Sequence, residues 1–159
     1  MKSDAIHVLA TLGAERLDVV RKLRFEVLRE PLGMPYEDTL FSGDELPTTQ
    51  HWLAYADDQP IGCLTLLIPD AAGAVSGDGP IKVQLRGMAV LKQTQNHGIG
   101  SRMLDEVHRL AIAKKWHLWC NARQAAVPFY AKNGWHVQGQ PFDIPKIGPH
   151  FVMCWEPRE

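Results

Sequence analysis

The chain has 159 residues, close to the ~150 of one ordinary domain and enough to bury a core without disulfides or metals holding it together. With 45% hydrophobic and 22% charged residues, wholesale disorder is excluded. Lys and Arg number 17 against 18 Asp and Glu, and the formal charge of -1 removes the bulk electrostatic case for gripping nucleic acid or an anionic membrane.

In chain order, Ile6 to Ala10 reads as a short first strand. From Ala14 to Arg29 the apolar residues Leu17, Val20, Leu23, Val27 and Leu28 recur at three- and four-residue steps with charges between them, which predicts an amphipathic helix. Pro31 and Gly33 end it, and Pro31 to Thr49 reads as a long loop or broken helix. Two strands are expected next, His51 to Ala56 and Ile61 to Ile68, joined by a turn at Asp57-Asp58-Gln59-Pro60. Pro69 to Pro80, with three glycines and three alanines, reads as a flexible hairpin loop. Ile81 to Leu91 alternates as a half-buried strand, and Gly87 breaks the alternation where a bulge or a close approach is expected.

A polar connector, Lys92 to His97, leads through Gly98-Ile99-Gly100 into a second amphipathic helix ending at Lys115, with an inward stripe of Ile99, Met103, Val107, Leu110 and Ala111. Trp116 to Cys120 is a strand, Ala125 to Lys132 a short helix, and Asn133-Gly134 its C-terminal cap. Trp135 to Gln138 and Phe151 to Trp155 close the chain, joined by a loop containing Pro141, Pro145 and Pro149. No run approaches the ~18 apolar residues of a membrane span. Met1-Lys2-Ser3-Asp4 meets an acid almost at once and carries no apolar signal-peptide core. Cys63, Cys120 and Cys154 are odd in number and form no C-x-x-C pair, so buried, inert thiols in a cytoplasmic protein are expected, with no metal site. The order of elements is that of one α/β domain over residues 1–159.

The connector opening the second helix carries the most chemistry. The first turn of a helix has N–H groups without intrahelical partners and the positive end of its dipole. Glycines at 98 and 100 remove Cβ atoms that would keep a diphosphate away from those groups. No Lys follows Gly100 as a P-loop requires, and position 103 is Met where a dinucleotide fingerprint has its third glycine. A tight strand-to-helix turn explains two such glycines equally well when they are taken alone.

Gln95-Asn96-His97-Gly98-Ile99-Gly100, following an apolar strand that ends Met88-Ala89-Val90, resembles the acetyl-coenzyme A pyrophosphate loop of the GNAT superfamily of N-acetyltransferases. About 25 residues beyond, Asn121 with Ala126, Phe129, Tyr130, Gly134 and Trp135 is similar to that family's second signature. The resemblance is clear over residues 81–136 and loose over 11–50. It implies a mixed, mostly antiparallel central sheet of six to seven strands, helices on both faces, and a splay between the fourth and fifth strands beyond Gly87. It further implies acetyl-coenzyme A as cofactor, held by Met88, Ala89, Val90, Gln95, Asn96, His97, Gly98, Ile99, Gly100, Ser101, Asn121 and Tyr130.

By the same resemblance Tyr130 is the general acid for the departing thiolate, acting in direct attack by a primary amine of a small molecule. The attacking amine must first lose a proton, since a free amine with pKa near 10 is mostly charged at neutral pH. Many members place a carboxylate on the fourth strand for this purpose, but here that strand offers Lys82, Gln84 and Arg86. The base is therefore open, with Glu26, Glu30, His136 and His150 as candidates. Glu26, Glu30, Glu37, Asp38, Asp44 and Glu45 stand against Arg29 alone in their segment; an acidic wall there would favour a cationic acceptor, while a solvated loop is the plainer reading. Two alternatives stay open: a non-catalytic acyl-coenzyme A-binding module, and transfer of a different acyl chain. Pairs are common among members of the family, so a homodimer is also expected, with no interface legible in the sequence.

Overall fold

A computed structural model describes residues 6–69 and 79–158. The Met1–Asp4 stretch and all but the ends of the expected Pro69–Pro80 loop lie outside the described residues. One eight-stranded sheet forms the middle of the molecule. β1 (Ile6–Leu12), β2 (Gln50–Ala56), β3 (Gln59–Leu67) and β4 (Ile81–Val90) follow one another as antiparallel neighbours. β5 (Trp116–Arg123) then joins β4 in parallel. β8 (Gly148–Trp155) lies antiparallel to β5 and carries both β6 (His136–Val137) and β7 (Phe142–Ile144). The family expectation of a mixed, mostly antiparallel sheet holds. Among the described residues the strands number eight rather than six or seven, because Phe142–Ile144 folds back on Gly148–His150 as a hairpin.

Helices cover both faces, as expected. α2 (Ile99–Lys114) buries Ile99, Met103, Leu104, Val107 and Ala111 against Trp52, Leu64, Leu66, Val83 and Leu85. Burying each large apolar side chain contributes about 1.5–3 kcal/mol, so this stripe, far more than helix propensity, holds α2 to the sheet. α1 (Leu17–Arg24) sits on the other face, with Leu17, Val20 and Leu23 against Leu53, Cys63 and Ala89. The single helix expected over Ala14–Arg29 is shorter: regular α-helix ends at Arg24 and one π-helical turn, Phe25–Arg29, follows. That turn shifts the helix face where the chain leaves the sheet. β5 runs three residues beyond the expected Cys120, because Asn121, Ala122 and Arg123 pair with Val152, Phe151 and His150.

Candidate active site

β4 and β5 are hydrogen-bonded partners only from Ile81↔Trp116 to Gln84↔Trp119. Beyond that point β4 stays with β3 and β5 stays with β8, so the sheet opens between them. The splay begins after Gln84 and not beyond Gly87 as expected. Gly87 does something else. Thr65 pairs with Arg86 and Cys63 with Ala89, so Gly87 and Met88 together oppose Leu64, forming a β-bulge with Gly87 at φ 63°.

The opening leads to two clefts, back to back. The loop-side cleft, about 430 Å³, is lined by Met88, Ala89, Val90, Gln95, Asn96, Gly98, Ile99, Gly100, Ser101, Phe129, Tyr130 and Lys132, among others. The hairpin-side cleft, about 360 Å³, reaches Phe41, Asn121, Ile144, Ile147 and His150. Met88, Arg123, Ala126 and Tyr130 line both, so they form the wall between them. Most of the predicted cofactor residues are thus brought together at the loop-side cleft. His97 is exposed and lines neither cleft, and Asn121 lines the hairpin side instead.

The two glycines of the connector have different physical roles. Gly98 precedes α2 at φ 76° and an added Cβ there would meet nothing within 4 Å, so it is needed for backbone conformation, not for room. At Gly100 a Cβ would come 2.9 Å from Phe129 Cζ, so its bareness lets α3 (Val127–Lys132) pack against the first turn of α2. No side chain caps α2, and the first intrahelical bond runs from the Arg102 N–H to the Gly98 carbonyl, leaving the preceding amides of the first turn facing the loop. Gln95 Nε2 donates to the Val90 carbonyl at 3.0 Å, tying the loop to the end of β4. Asn133 Nδ2 donates to Phe129 O at 2.9 Å and to Ser101 Oγ at 3.3 Å, tying α3 to α2. An anion fits this corner: open amides, a dipole of the right sign, and no carboxylate among the residues lining the cleft.

Tyr130 is 6% exposed and packs edge-on between Phe129 and Trp135, with its hydroxyl 3.7 Å from Met88 Sδ. Burial raises its phenol well above the ordinary value, and the neighbouring Cys120 thiol adds to the effect, so the proton stays on oxygen. Cys63 and Cys120 are buried, and burial pushes both thiols up to about 12. Cys154 departs from the expectation of burial: it is partly exposed, with Sγ 2.8 Å from Gln138 Oε1. Among the described residues no cluster of His, Cys, Asp or Glu could hold a metal ion.

Of the four candidate bases only His150 lines a cleft. Glu26 and Glu30 are exposed, and His136 is exposed beside Glu156 at 3.6 Å. His150 is 4% exposed, and its Nδ1 lies 2.8 Å from the Gly148 carbonyl oxygen. A carbonyl only accepts, so Nδ1 carries a proton, and Nε2 is the ring nitrogen left to take one up.

A buried ion network, which the sequence reading missed, braces the site. Arg24 is fully buried and makes a two-point contact with Asp44 at 2.7 and 3.1 Å. It also donates to Thr39 O at 2.8 Å and Thr65 Oγ1 at 2.8 Å, while Arg86 reaches both Asp44 and Ser42 O. Burial opposes the charge on Asp44, but the Arg24 hydrogen bond and charge, the Phe41 amide and Arg86 together hold its carboxyl below the ordinary value. The signal was present: Arg24 occupies the i+7 position of the stripe begun by Leu17 and Val20, where an apolar residue is expected. An acidic wall is not what the loop builds. Glu26, Glu30, Glu37 and Glu45 are exposed and Asp44 is consumed by arginines.

A sheet opened between its parallel central strands, with an uncapped helix start at one mouth, defines an acyltransferase-type architecture. Residues 47–137 match the family model described as the acetyltransferase (GNAT) domain, more than half of the chain, and the chain belongs to that family. It is 45% identical over 71 residues to the uncharacterized N-acetyltransferase YitI of Bacillus subtilis, covering 44% of this chain and 48% of that one. The chain spans about half the length of the curated relatives it matches, 48% and 57%. Its fold is like that of a putative N-acetyltransferase from Lactobacillus plantarum, with TM-score 0.78 at 20% identity over 97% of this chain and 99% of that one. It is also like a GNAT family acetyltransferase from Elizabethkingia anophelis with acetyl-CoA bound, with TM-score 0.65 at 18% identity over 97% and 99% of the two chains. No helix among the described residues is long and apolar enough to cross a membrane.

Proposed function

We propose that this chain, acting as one domain, is an acetyl-coenzyme A-dependent N-acetyltransferase that acetylates a primary amine of a small molecule. The observation that carries the reading is the shared wall: Tyr130 and Met88 stand between a cleft ending on the open amides of α2 and a cleft lined by His150. Membership of the family, and the acetyl-CoA-bound neighbour of similar fold, support the choice of cofactor.

The first-turn amides of α2, with Asn96 and Gly98, would hold the diphosphate, and the unpaired edge of β4 near Met88 and Val90 would receive the pantetheine arm. When bound, the cofactor supplies an activated acetyl thioester. The Tyr130 phenol carries its proton at neutral pH, burial raising it further above the ordinary value, and its O–H would hydrogen-bond a developing thiolate. His150 Nε2 is the base, taking the ammonium proton of the acceptor directly or through water. The buried thiols Cys63 and Cys120, pushed up to about 12, are poor nucleophiles, which favours direct attack over an acetyl-cysteine relay.

The experiment is thiol release from acetyl-coenzyme A across a panel of primary amines, beside a calorimetric titration of coenzyme A. Binding with amine-dependent thiol release is expected. Binding without release for any amine would leave a non-catalytic acyl-coenzyme A module, and absence of binding would remove the cofactor assignment.

A further inference from the structure

The hairpin-side cleft has a charge pattern that the amine acceptor alone does not explain. Arg29, Arg86 and Arg123 line it, and no Asp or Glu does. Arg86 pairs with Asp44 at 3.2 Å, a carboxylate it shares with Arg24. Arg29 and Arg123 pair with none: among the described residues neither has a carboxylate within ion-pair distance. Both instead donate to one backbone oxygen, Leu28 O, at 3.3 and 3.0 Å, and Arg29 also donates to Asp38 O at 3.0 Å. The Asp38 carboxylate acts on Arg29 only from a longer range, while Arg123 and Arg24 oppose it. Arg29 also lies over the Phe41 ring, 5.2 Å from its centroid, with Arg24 at 4.0 Å and Arg86 at 5.5 Å.

Of the four guanidiniums around this cleft, Arg24 and Arg86 share the one carboxylate within ion-pair distance, Asp44, and Arg29 and Arg123 are half-buried at its wall. Holding like charges together with part of their solvent removed is costly unless something supplies the opposite charge. Guanidinium pairs match compact oxyanions, which accept two parallel hydrogen bonds from each planar fork.

We propose that the hairpin-side cleft takes an amine acceptor that itself carries an oxyanion, a carboxylate or a phosphate, seated on Arg29 and Arg123. This rests on the acetyltransfer reading for the amine half, while the cationic wall exists whatever the reaction. The cleft holds about 360 Å³, which suits an acceptor of amino-acid size. The diphosphate of the cofactor is not the natural occupant, because Arg29 lines only the hairpin side, away from the α2 amides.

The test uses matched amines on the coenzyme A-saturated protein: lysine with cadaverine, phenylalanine with phenethylamine, and O-phosphoethanolamine with ethanolamine. Binding is read by calorimetry on that complex, and transfer by thiol release with acetyl-coenzyme A in place of coenzyme A. The oxyanion-bearing member of at least one pair should win by about tenfold or more, and the pair that does so separates a carboxylate from a phosphate. Arg29→Gln should raise KM for that acceptor about 10- to 100-fold with KM for acetyl-coenzyme A unchanged, and Arg29→Lys should restore part of the loss. If Arg29→Gln melts early, Arg123→Gln replaces it, read by the loss of the oxyanion preference alone because Arg123 also lines the loop-side cleft. Equal or stronger use of the partners that lack the oxyanion, no binding by any oxyanion-bearing amine, or a folded variant that keeps the preference would overturn the inference. Loss of coenzyme A binding strikes the acetyltransfer reading instead, and titrating the oxyanion-bearing amines into the free protein still decides the cationic cleft.

Discussion

Arg24 and Gly87 are in contact: a Cβ added to Gly87 would lie 2.8 Å from Arg24 Nε and 3.1 Å from Phe41 Cε2. The bulge in β4 and the buried guanidinium of α1 thus occupy complementary space. Gly87 also has φ 63°, where a side chain is strained. Gly87→Ala should therefore destabilise by about 2 to 5 kcal/mol, the sum of left-handed strain and overpacking. Urea unfolding measures it. A loss below ~1 kcal/mol would mean that Arg24 can move aside, and that the bulge is not braced from this side.

Asp44→Asn should cost about 3 to 5 kcal/mol, because it leaves the fully buried Arg24 without its counter-charge. The same denaturation series detects this, and near-neutral behaviour would show the network to be structurally idle.

Stability should fall as pH drops from 7.5 to 5.5. Burial lowers both His51 and His108 from 6.5. His108 Nε2 also accepts a hydrogen bond from Trp135 Nε1 at 3.0 Å, which a protonated ring cannot do. Below about 6.5 the unfolded chain takes up protons that the folded chain refuses, so their stabilisation is complete above that value and is lost below it. Asp44, lowered from 3.8, adds a second decline below about pH 4, with the same sign. The first step should be on the order of 1 kcal/mol by urea midpoints at fixed salt. A flat or rising profile would contradict a neutral, buried His51 and a neutral, half-buried His108.

Gly98 and Gly100 should respond differently to alanine. Gly98→Ala meets open space and should cost only about 1 kcal/mol of backbone strain. Gly100→Ala pushes on Phe129, and with it on Tyr130 and the cleft wall, so coenzyme A affinity and turnover should both drop further than in Gly98→Ala. Calorimetric titration of the two variants ranks them, and the reverse order would refute the packing role of Gly100.

Tyr130→Phe should lower kcat by roughly 10²-fold or more while leaving the melting temperature and coenzyme A affinity near wild type. His150→Gln should lower kcat on a similar scale. Wild-type turnover in either variant, with a confirmed acceptor, would take that residue out of the reaction.

Near neighbours in the chain already announced the outline of this protein: the three-and-four rhythm of Leu17, Val20 and Leu23, the alternation of β4, Gly98 and Gly100 before α2, and Tyr130 in its motif. Such patterns are legible because helix faces, strand faces and helix starts depend on residues within a few turns of one another. The β7 hairpin escaped notice because three residues carry too little periodicity. The place where β4 and β5 part escaped it because a register between strands belongs to neither strand alone. Only folding decided which charges meet. Glu26, Glu37 and Glu45 turned to solvent, Asp44 went inward to Arg24 and Arg86, and Arg29 came to share a carbonyl with Arg123 from the far end of the chain. The local run of acids is thus the solvated loop of its plainer reading, and the cleft beside it is lined by arginines, because the field in a cavity is a sum over residues that are close in space and distant in sequence.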